Sequence, residues 1–454
     1  MKTYDLAIIG SGPGGYVAAL YASRHKLSVA VIEKDLIGGT CLNRGCIPTK
    51  SLLNSASIIS KIKSAPVHGI KVDGYTIDFG RIMARKDEVV LRLRTGIETL
   101  FRANKIDLIK GMATIAGPDT INVEGQDTIK AKNIIIAVGS KVARLSNIDI
   151  DDIDVLSSDS ILNIRSIPRS MVIVGGGVIG CEFASLFNKL GTKVTIIEMM
   201  ERILPGQSRE ISKKLELIFK KSGIEIHTAS KVEAIRAGST LGVSVSGGKS
   251  IDAEKVLVSI GRIPATEGLG LETAGIKTLN NRISVGENLM TSATGIYAIG
   301  DCVAGPLLAH RASYDGILAC DNILGKGRRC DYSNIPNCIW TEPEVASVGL
   351  SEDEAKAKYP DAKAAKFPYL GSGKAYLEGE TEGFVKIIGS SAGQILGVEI
   401  FGKGACELIG EATVSRAMGV SIKDWSGVVH GHPTLSEMFG EAAHVFEGTA
   451  IHSV

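Results

Sequence analysis

Two stretches of this chain repeat one pattern, and that repeat limits the folds open to it more than any other feature. Residues 4–10 form a short apolar run that enters Gly10-Ser-Gly12-Pro-Gly14-Gly15, followed by a helical pattern over residues 16–25 and an apolar strand over Val29–Glu33. Residues 170–174 enter Gly175-Gly-Gly177-Val-Ile-Gly180, followed by a helical pattern over residues 181–190 and a strand over 193–198. In each copy the closing glutamate, Glu33 or Glu198, lies twenty-three residues beyond the first glycine. This is the β-turn-α-β unit that binds a dinucleotide. In the first copy, Gly10 permits the tight turn, Gly12 lets the backbone approach a pyrophosphate, and Gly15 lets the helix pack against the strand. The helix N-terminus offers N–H groups and a positive dipole end to the phosphates, while Glu33 can accept hydrogen bonds from a ribose diol. Two such sites in one chain point to two nucleotides exchanging electrons.

Glu198 also bears on which nucleotide binds. A carboxylate accepts from the free 2′-hydroxyl of NAD and repels the 2′-phosphate of NADP. Met199, Met200, Glu201 and Arg202 follow it, and one arginine beside two carboxylates is a poor phosphate clamp. NAD is therefore expected.

Composition excludes several alternatives. The formal net charge of +2 on 454 residues, without a block of five like charges, points away from nucleic acid and acidic membrane surfaces. No apolar run approaches the roughly 20 residues of a membrane span, and the opening Met-Lys-Thr-Tyr-Asp runs directly into a strand pattern, so a cytoplasmic protein is expected. The length suggests about three domains.

Beyond the first fingerprint, residues 51–104 read as mostly helical with a loop near 66–78, followed by strands at 106–114 and Thr120–Val123. The run Asn133-Ile-Ile-Ile-Ala-Val-Gly139-Ser140 is a buried parallel strand that returns the chain to the first domain. Residues 255–262 form another strand ending in glycine. Residues 295–301 deliver Asp301 to the carboxyl end of a sheet, where it either contacts a polyhydroxyl tail or caps the helix that follows. From about residue 333 the pattern changes to alternating strands, at 384–388 and Ile395–Phe401, with helices near 407–418 and 435–443. The expected class is α/β: two Rossmann-like dinucleotide-binding domains plus a C-terminal α+β domain, to which the resemblance given below assigns dimerisation.

Six of the eight cysteines are scattered singly, whereas Cys41 and Cys46 lie within Gly-Gly-Thr-Cys41-Leu-Asn-Arg44-Gly45-Cys46-Ile-Pro48-Thr-Lys50. Zinc, two inert thiols and a redox disulfide compete for this pair. A structural zinc site needs a second ligand pair, which the sequence lacks, so no metal is assigned. The position just beyond a dinucleotide fingerprint favours redox chemistry. Five residues of ideal helix advance about 7.5 Å, too far for a disulfide, so the segment must be irregular when oxidised. Gly45 and Pro48 supply the irregularity, and Cys41 is expected in or just before the first turn of a distorted helix, where its thiol pKa should fall.

Lys50 lies four residues beyond Cys46 and so on the same helical face. Glu182, at the start of the second fingerprint helix, is a candidate partner that would hold it charged. Proton transfer at a thiol needs a group titrating near neutrality. The run His430-Gly-His432-Pro433-Thr434-Leu-Ser-Glu437 supplies His432, with His430 and His444 as ordinary structural histidines. Glu437 has two readings, as partner of His432 or as the far half of a capping box begun by Thr434.

Taken together, the first fingerprint, GGTCLNRGCIPTK, VIVGGGVIGCEFA, SIGRIPATEGLGLE, IYAIGDC, IWTEPEVASVGLSEDEA and HGHPTLSEMFGEAA follow in an order that resembles the pyridine nucleotide–disulfide oxidoreductase family, class I, nearly end to end. The resemblance implies FAD at the first fingerprint and NAD at the second. It assigns cofactor contacts to Gly10, Gly12, Gly14, Gly15, Glu33, Lys34, Thr40, Lys50, Gly139, Asp301, Gly175, Gly177, Gly180, Glu198, Gly261 and Arg262. It implies catalytic roles for Cys41, Cys46, His432, Glu437, Lys50 and Glu182, with Cys41 as interchange thiol, Cys46 against the flavin, and His432 acting on the disulfide of the other chain in a homodimer. The implied activity is oxidation of protein-bound dihydrolipoamide with reduction of NAD to NADH. The implied partners are lipoyl domains of 2-oxo acid dehydrogenase complexes or a glycine cleavage lipoyl carrier. The implied division is an FAD-binding domain over residues 1–143 and 265–334, an NAD-binding domain over 144–264 and an interface domain over 335–454.

Rival members fit less well. Glutathione and trypanothione reductases prefer NADPH, mercuric reductase adds a cysteine pair near a C-terminus that here reads Gly-Thr-Ala-Ile-His-Ser-Val, and soluble transhydrogenases usually lack the intact pair. A flavin-bearing structural subunit would not need the full set of reactive residues. Two departures from the family pattern are Arg44, where a small apolar residue is more usual, and the lack of an N-terminal lipoyl extension.

Overall fold

The computed structural model describes residues 2–453. The chain forms two compact units, Met1–Ile167 with Val258–Tyr332, and Pro168–Leu257 with Ser333–Val454. Each unit is discontinuous, and each contains one of the two fingerprints.

The first unit opens with β1 (Thr3–Ile9), α1 (Pro13–Arg24) and β2 (Val29–Glu33). It continues through α2 (Gly39–Arg44), α3 (Cys46–Ser64) and α4 (Phe79–Ala103), whose first turn is capped by the Asp78 side chain accepting from the Arg81 N–H at 2.8 Å. The strand expected over residues 106–114 is two strands, β3 (Asp107–Lys110) and Ala113–Ile115. The chain turns between them at Gly111, whose φ is +149° and whose N–H is held by the Glu33 carbonyl at 3.1 Å. The long apolar run is β4 (Ile129–Ile136), and it pairs in parallel with β1, Ala7 opposite Ile134 and Ile9 opposite Ile136. Leu6, Ala7, Ile8 and Ile134–Ile136 are all fully buried. That continuous burial is why these strands read as unbroken apolar runs rather than alternating ones.

The second unit begins with the same three elements: β5 (Ser170–Val174), α5 (Val178–Lys189) and β6 (Lys193–Ile197). β5 and β6 are parallel, with Ser170 opposite Lys193 and Val174 opposite Ile197. α5 is buried at every position from Gly180 to Phe187, Glu182 included. The strand expected over residues 255–262 is shorter, β7 (Lys255–Val258).

The first unit resumes with β8 (Ile296–Ala298), which adds to β4 in parallel and carries the chain to Asp301. Helix α6 (Ala309–Ile323) then packs on α1. The approach is close because the crossing is built from small residues: a Cβ on Gly316 would lie 2.6 Å from the Gly14 carbonyl oxygen, and one on Gly14 would lie 3.0 Å from that of Ala312.

The second unit closes with an antiparallel sheet of β9 (Asn337–Ile339), β10 (Val345–Gly349), β11 (Lys363–Pro368), β12 (Phe384–Gly389) and β13 (Ile395–Phe401), in the order β9-β10-β13-β12-β11. β12 and β13 are buried throughout. Helices α7 (Ala405–Ala417) and α8 (Glu437–Phe446) supply the rest of this core, in which Trp425 stacks on Phe439 at 4.8 Å. The final segment is the α+β layer the sequence pattern calls for. Among the described residues no helix is long and apolar enough to cross a membrane.

Candidate active site

The two cysteines stand on either side of a break. α2 ends at Arg44, Gly45 adopts φ −141° and ψ −112°, and α3 starts at Cys46. Cys41 is the third residue of α2, in its first turn, as the reach of a disulfide requires. A side chain at residue 45 would oppose this geometry, since a Cβ there would sit 3.1 Å from the Thr40 oxygen and 3.3 Å from the Cys41 Cα. The thiols of Cys41 and Cys46 are joined by a hydrogen bond, and Lys50 lies near enough to favour a negative charge on Cys41.

The expected fall in the Cys41 pKa is overturned. Its hydrogen bond to Cys46 and burial push the Cys41 thiol up, outweighing Lys50. Two thiols in contact share one favourable position for negative charge, so the pair titrates as a unit and the second proton is the hard one to remove. Arg44, the departure from the family pattern, pairs with Asp35 at the surface.

The two glycine loops close in the same way, a feature that motif spacing had not signalled. Glu33 accepts from the Ser11 N–H at 2.9 Å and the Asp35 N–H at 2.9 Å. Glu198 accepts from the Gly176 N–H at 2.6 Å and the Met200 N–H at 2.7 Å. Each glutamate thus ties the residue after the first glycine to the end of the second strand. The first loop has one bond more, from the Ser11 hydroxyl to Glu33 at 2.6 Å. Arg202 donates to the carbonyls of Pro205 and Gln207 at 3.0 and 3.4 Å.

Both loops fit a pyrophosphate. Neither α1 nor α5 has a side-chain cap or an acidic residue in its first turn, so their leading N–H groups keep their capacity for an anion. A Cβ on Gly15 would lie 1.9 Å from the Gly10 oxygen, whereas one on Gly12 would come no nearer than 3.9 Å to anything and one on Gly177 would meet nothing within 4 Å. The loop is therefore tight against its own strand and open on the side a phosphate would approach. Gly175 has φ +106°, and Gly180 is buried in the first turn of α5. Lys34 is exposed just past β2.

A second group of predicted residues converges in the first unit. Ser140–Val142 and Arg262–Pro264 form an antiparallel ribbon, and Gly139 and Gly261 immediately precede its strands, with φ of +67° and +115°. Arg262 donates to the Ser140 hydroxyl at 2.9 Å, the Ser140 carbonyl at 3.0 Å and Thr40 Oγ1 at 3.5 Å, and it pairs with Asp159 at 3.4 Å. The Ser140 hydroxyl in turn donates to Asp301 at 2.6 Å. Asp301 does not cap the following helix, because α6 begins at Ala309 behind Leu308 without a side-chain cap. Ser140 is a member of this cluster that motif reading passed over. Its place directly after Gly139 at a strand end was the available signal.

The Asp301 turn is fixed from below by a buried ion pair that the sequence did not reveal. Arg311 and Asp315, both fully buried, pair at 2.9 Å, and Asp315 also accepts from the Gly300 N–H at 3.1 Å and the Tyr332 hydroxyl at 2.9 Å. Arg311 donates to the carbonyls of Gly300 at 3.2 Å and Ala304 at 2.8 Å. Asp315→Asn leaves the Arg311 charge uncompensated and is expected to cost about 3 kcal/mol of unfolding free energy. Denaturant unfolding would check this, and a change below about 0.5 kcal/mol would contradict the reading, being no more than a surface substitution causes.

At the other end of the chain, His432 Nδ1 lies 2.9 Å from Glu437 Oε1, and Glu437 Oε2 accepts from the Thr434 N–H at 2.8 Å. Glu437 therefore does both things the sequence allowed it, although only half of the capping box forms. The Thr434 hydroxyl donates to the Gly431 carbonyl at 2.7 Å, and α8 begins at Glu437 itself behind Ser436. The His432–Pro433 peptide is cis, and the His432 side chain is 79% exposed. His430 by contrast is nearly buried and bonded to Glu411 at 2.8 Å, a structural histidine. Burial acts to raise the Glu437 carboxyl, but the Thr434 N–H and His432 outweigh it and hold it below the ordinary range. Glu182, in the second unit, accepts from the Trp340 N–H at 3.0 Å.

The chain has relatives over nearly its whole length. A family model described as pyridine nucleotide-disulphide oxidoreductase matches residues 4–316, and one for the dimerisation domain of the same family matches residues 335–443. A dihydrolipoyl dehydrogenase of Bacillus subtilis is 42% identical over 99% of this chain and 99% of its own length. One of Chlamydia pneumoniae is 42% identical over 99% of this chain and 98% of its own. The crystal structure of LpdA from Mycobacterium tuberculosis superposes with a TM-score of 0.92 at 27% identity, covering 98% of this chain and 99% of that one. Two matched models that together span nearly the whole sequence, with full-length relatives at this identity, place the chain in the pyridine nucleotide-disulphide oxidoreductase family.

Proposed function

We propose that the protein is a dihydrolipoyl dehydrogenase, and the observation that carries this is a contacting thiol pair on a helix break in the same unit as the first of two matched dinucleotide loops. Dihydrolipoamide, as a dithiol, reduces the Cys41–Cys46 disulfide by exchange. One substrate sulfur bonds to Cys41, Cys46 leaves as thiolate, and the second substrate sulfur then displaces Cys41 to give lipoamide. His432, held through Nδ1 by Glu437, takes the substrate thiol's proton on Nε2. Lys50 supports negative charge at the cysteines. FAD, when bound, supplies the two-electron step between these thiols and NAD.

On this reading Gly10, Gly12, Gly14, Gly15, Glu33, Lys34, Thr40, Gly139 and Asp301 hold FAD, and Gly175, Gly177, Gly180 and Glu198 hold NAD, with Glu182 as a positioning residue. Arg262 and Gly261 shape the Asp301 cluster in the first unit. The protein works as a homodimer, since a dimerisation-domain model covers residues 335–443 and the His432 ring is exposed to meet a partner's disulfide. We assign residues 1–143 and 265–334 to FAD binding, 144–264 to NAD binding and 335–454 to the interface. The partners are lipoyl domains of 2-oxo acid dehydrogenase complexes or a glycine cleavage lipoyl carrier, in the cytoplasm.

The test is anaerobic titration of the purified yellow protein with dihydrolipoamide. Long-wavelength absorbance should rise first, and NADH should form when NAD is added. Failure with NAD, together with turnover of NADPH and glutathione disulfide, would overturn the assignment.

A further inference from the structure

A second thiol pair lies in the C-terminal sheet, far in sequence from Cys41 and Cys46. Cys338 is the middle residue of β9, opposite Ala346 of β10, and Cys406 is the second residue of α7. Although 68 residues apart, each sulfur reaches the other's backbone neighbourhood: Cys338 Sγ is 3.9 Å from the Cys406 carbonyl oxygen, and Cys406 Sγ is 3.7 Å from that of Ile339 and 3.8 Å from that of Val345. Both residues are half-buried, within reach of a small reagent. β9 is held on one side by its pairing with β10, and the start of α7 is anchored by the Cys406 N–H donating to Glu344 at 3.0 Å.

We propose that Cys338 and Cys406 form a second dithiol–disulfide couple, oxidised by low-molecular-weight disulfides, which staples the edge strand β9 to helix α7. The two thiols are in hydrogen-bonding contact, the relation that Cys41 and Cys46 also hold. Among the described residues no group of three His, Cys, Asp or Glu side chains is arranged to hold a metal ion. The other deep thiols lack a sulfur neighbour in the same role: Cys181, Cys302 and Cys320 are fully buried, with their sulfurs on backbone carbonyls.

The Cys338 thiolate attacks one sulfur of a disulfide RS–SR and releases RS⁻, which gives a mixed disulfide. Cys406 then attacks the Cys338 sulfur, forms the internal bond and releases the second RS⁻. The two protons from the protein thiols end on two RSH molecules, and the small disulfide accepts both electrons. The contact with Cys338 and burial, and after them the Glu344 carboxylate, push the Cys406 thiol up. Oxidation should matter most at β9, an edge strand of three residues with a single sheet partner. A cross-link restricts the fraying to which such an edge is prone.

The test uses the full-length holoenzyme in glutathione buffers from fully reduced to fully oxidised, with alkylation before unfolding and peptide mapping without reductant. The expected result is a linked peptide carrying Cys338 and Cys406, lighter by two hydrogens than its parts, which appears as glutathione disulfide rises. It disappears in both C338S and C406S, with dihydrolipoamide turnover unchanged in each. Amide exchange over residues 337–347 should slow by about tenfold or more on oxidation. Recovery of both cysteines alkylated, or separately bound to glutathione, at the oxidised end would overturn the proposal. If a variant fails to fold, mapping the wild-type protein decides alone.

Discussion

Cys41→Ser should abolish NADH formation from dihydrolipoamide, lowering kcat by about 10⁴-fold or more, the scale of loss when one member of a nucleophilic unit is removed. A serine hydroxyl does not exchange with a disulfide, and the partner thiol at Cys46 then has nothing to pair with. The break at Gly45 that brings the two residues together is untouched by the change, so FAD content and fold should be preserved. Electron transfer from NADH to a dye that draws directly on the flavin should continue, because that route bypasses the thiols. The comparison therefore separates loss of the disulfide from loss of the cofactor. Retention of more than a tenth of wild-type dihydrolipoamide turnover in Cys41→Ser would remove the pair from the mechanism.

His432→Gln carries the second large effect, a loss of about 10²–10⁴-fold in turnover with FAD retained, the usual contribution of a positioned acid–base group. Glutamine preserves size and polarity but cannot accept the substrate proton. Glu437→Gln should cost less, on the order of tenfold to a hundredfold, because an amide oxygen still receives Nδ1–H but no longer offsets the charge of an imidazolium. Oxygen and charge are thus tested separately. The same contact predicts a pH effect on stability. Since the Glu437 carboxyl lies below its ordinary value of 4.5 in the folded chain, its contribution is full above that pH and fades as pH falls through the lowered value. The difference in unfolding free energy between wild type and Glu437→Gln should therefore narrow below pH 4.5. A difference that widens on acidification would mean that Glu437 is not held as an anion by its partners.

The features visible in the sequence are local ones. Both β-turn-α-β units, the interruption between Cys41 and Cys46, and the His432–Glu437 pairing are set by residues within about one turn or one strand of each other, where spacing translates directly into geometry. The return of β4 to β1 was also legible, because only a strand buried on both faces reads as Ile-Ile-Ile-Ala-Val. What escaped reading depends on contacts between distant segments. Arg311 and Asp315 look like an ordinary i, i+4 pair on a helix surface, and their burial follows from where Gly300 and Tyr332 arrive. Ser140 gains its role from Arg262, 122 residues away. The half-formed capping box at Thr434 failed for a local reason: the helix begins at Glu437 behind Ser436, so Thr434 stands before the cap position and its hydroxyl donates to the Gly431 carbonyl. The direction of the Cys41 pKa was missed because a helix N-terminus was weighed without the second thiol that competes for the same charge.

The tie that each glutamate makes to its own glycine loop sets a condition on redesigning coenzyme preference. Replacing Glu198 with a small or basic residue to admit a 2′-phosphate would remove the acceptor for two backbone donors, Gly176 and Met200, as well as the ribose contact proposed for it. A single exchange at this position therefore loosens the turn that must grip the pyrophosphate, and affinity for both coenzymes should fall together. A workable switch has to bring its own acceptor for the Gly176 N–H, such as a serine or asparagine side chain at or beside position 198. The hydroxyl of Ser11, already bonded to Glu33 in the other loop, illustrates how one added polar atom reinforces the same turn.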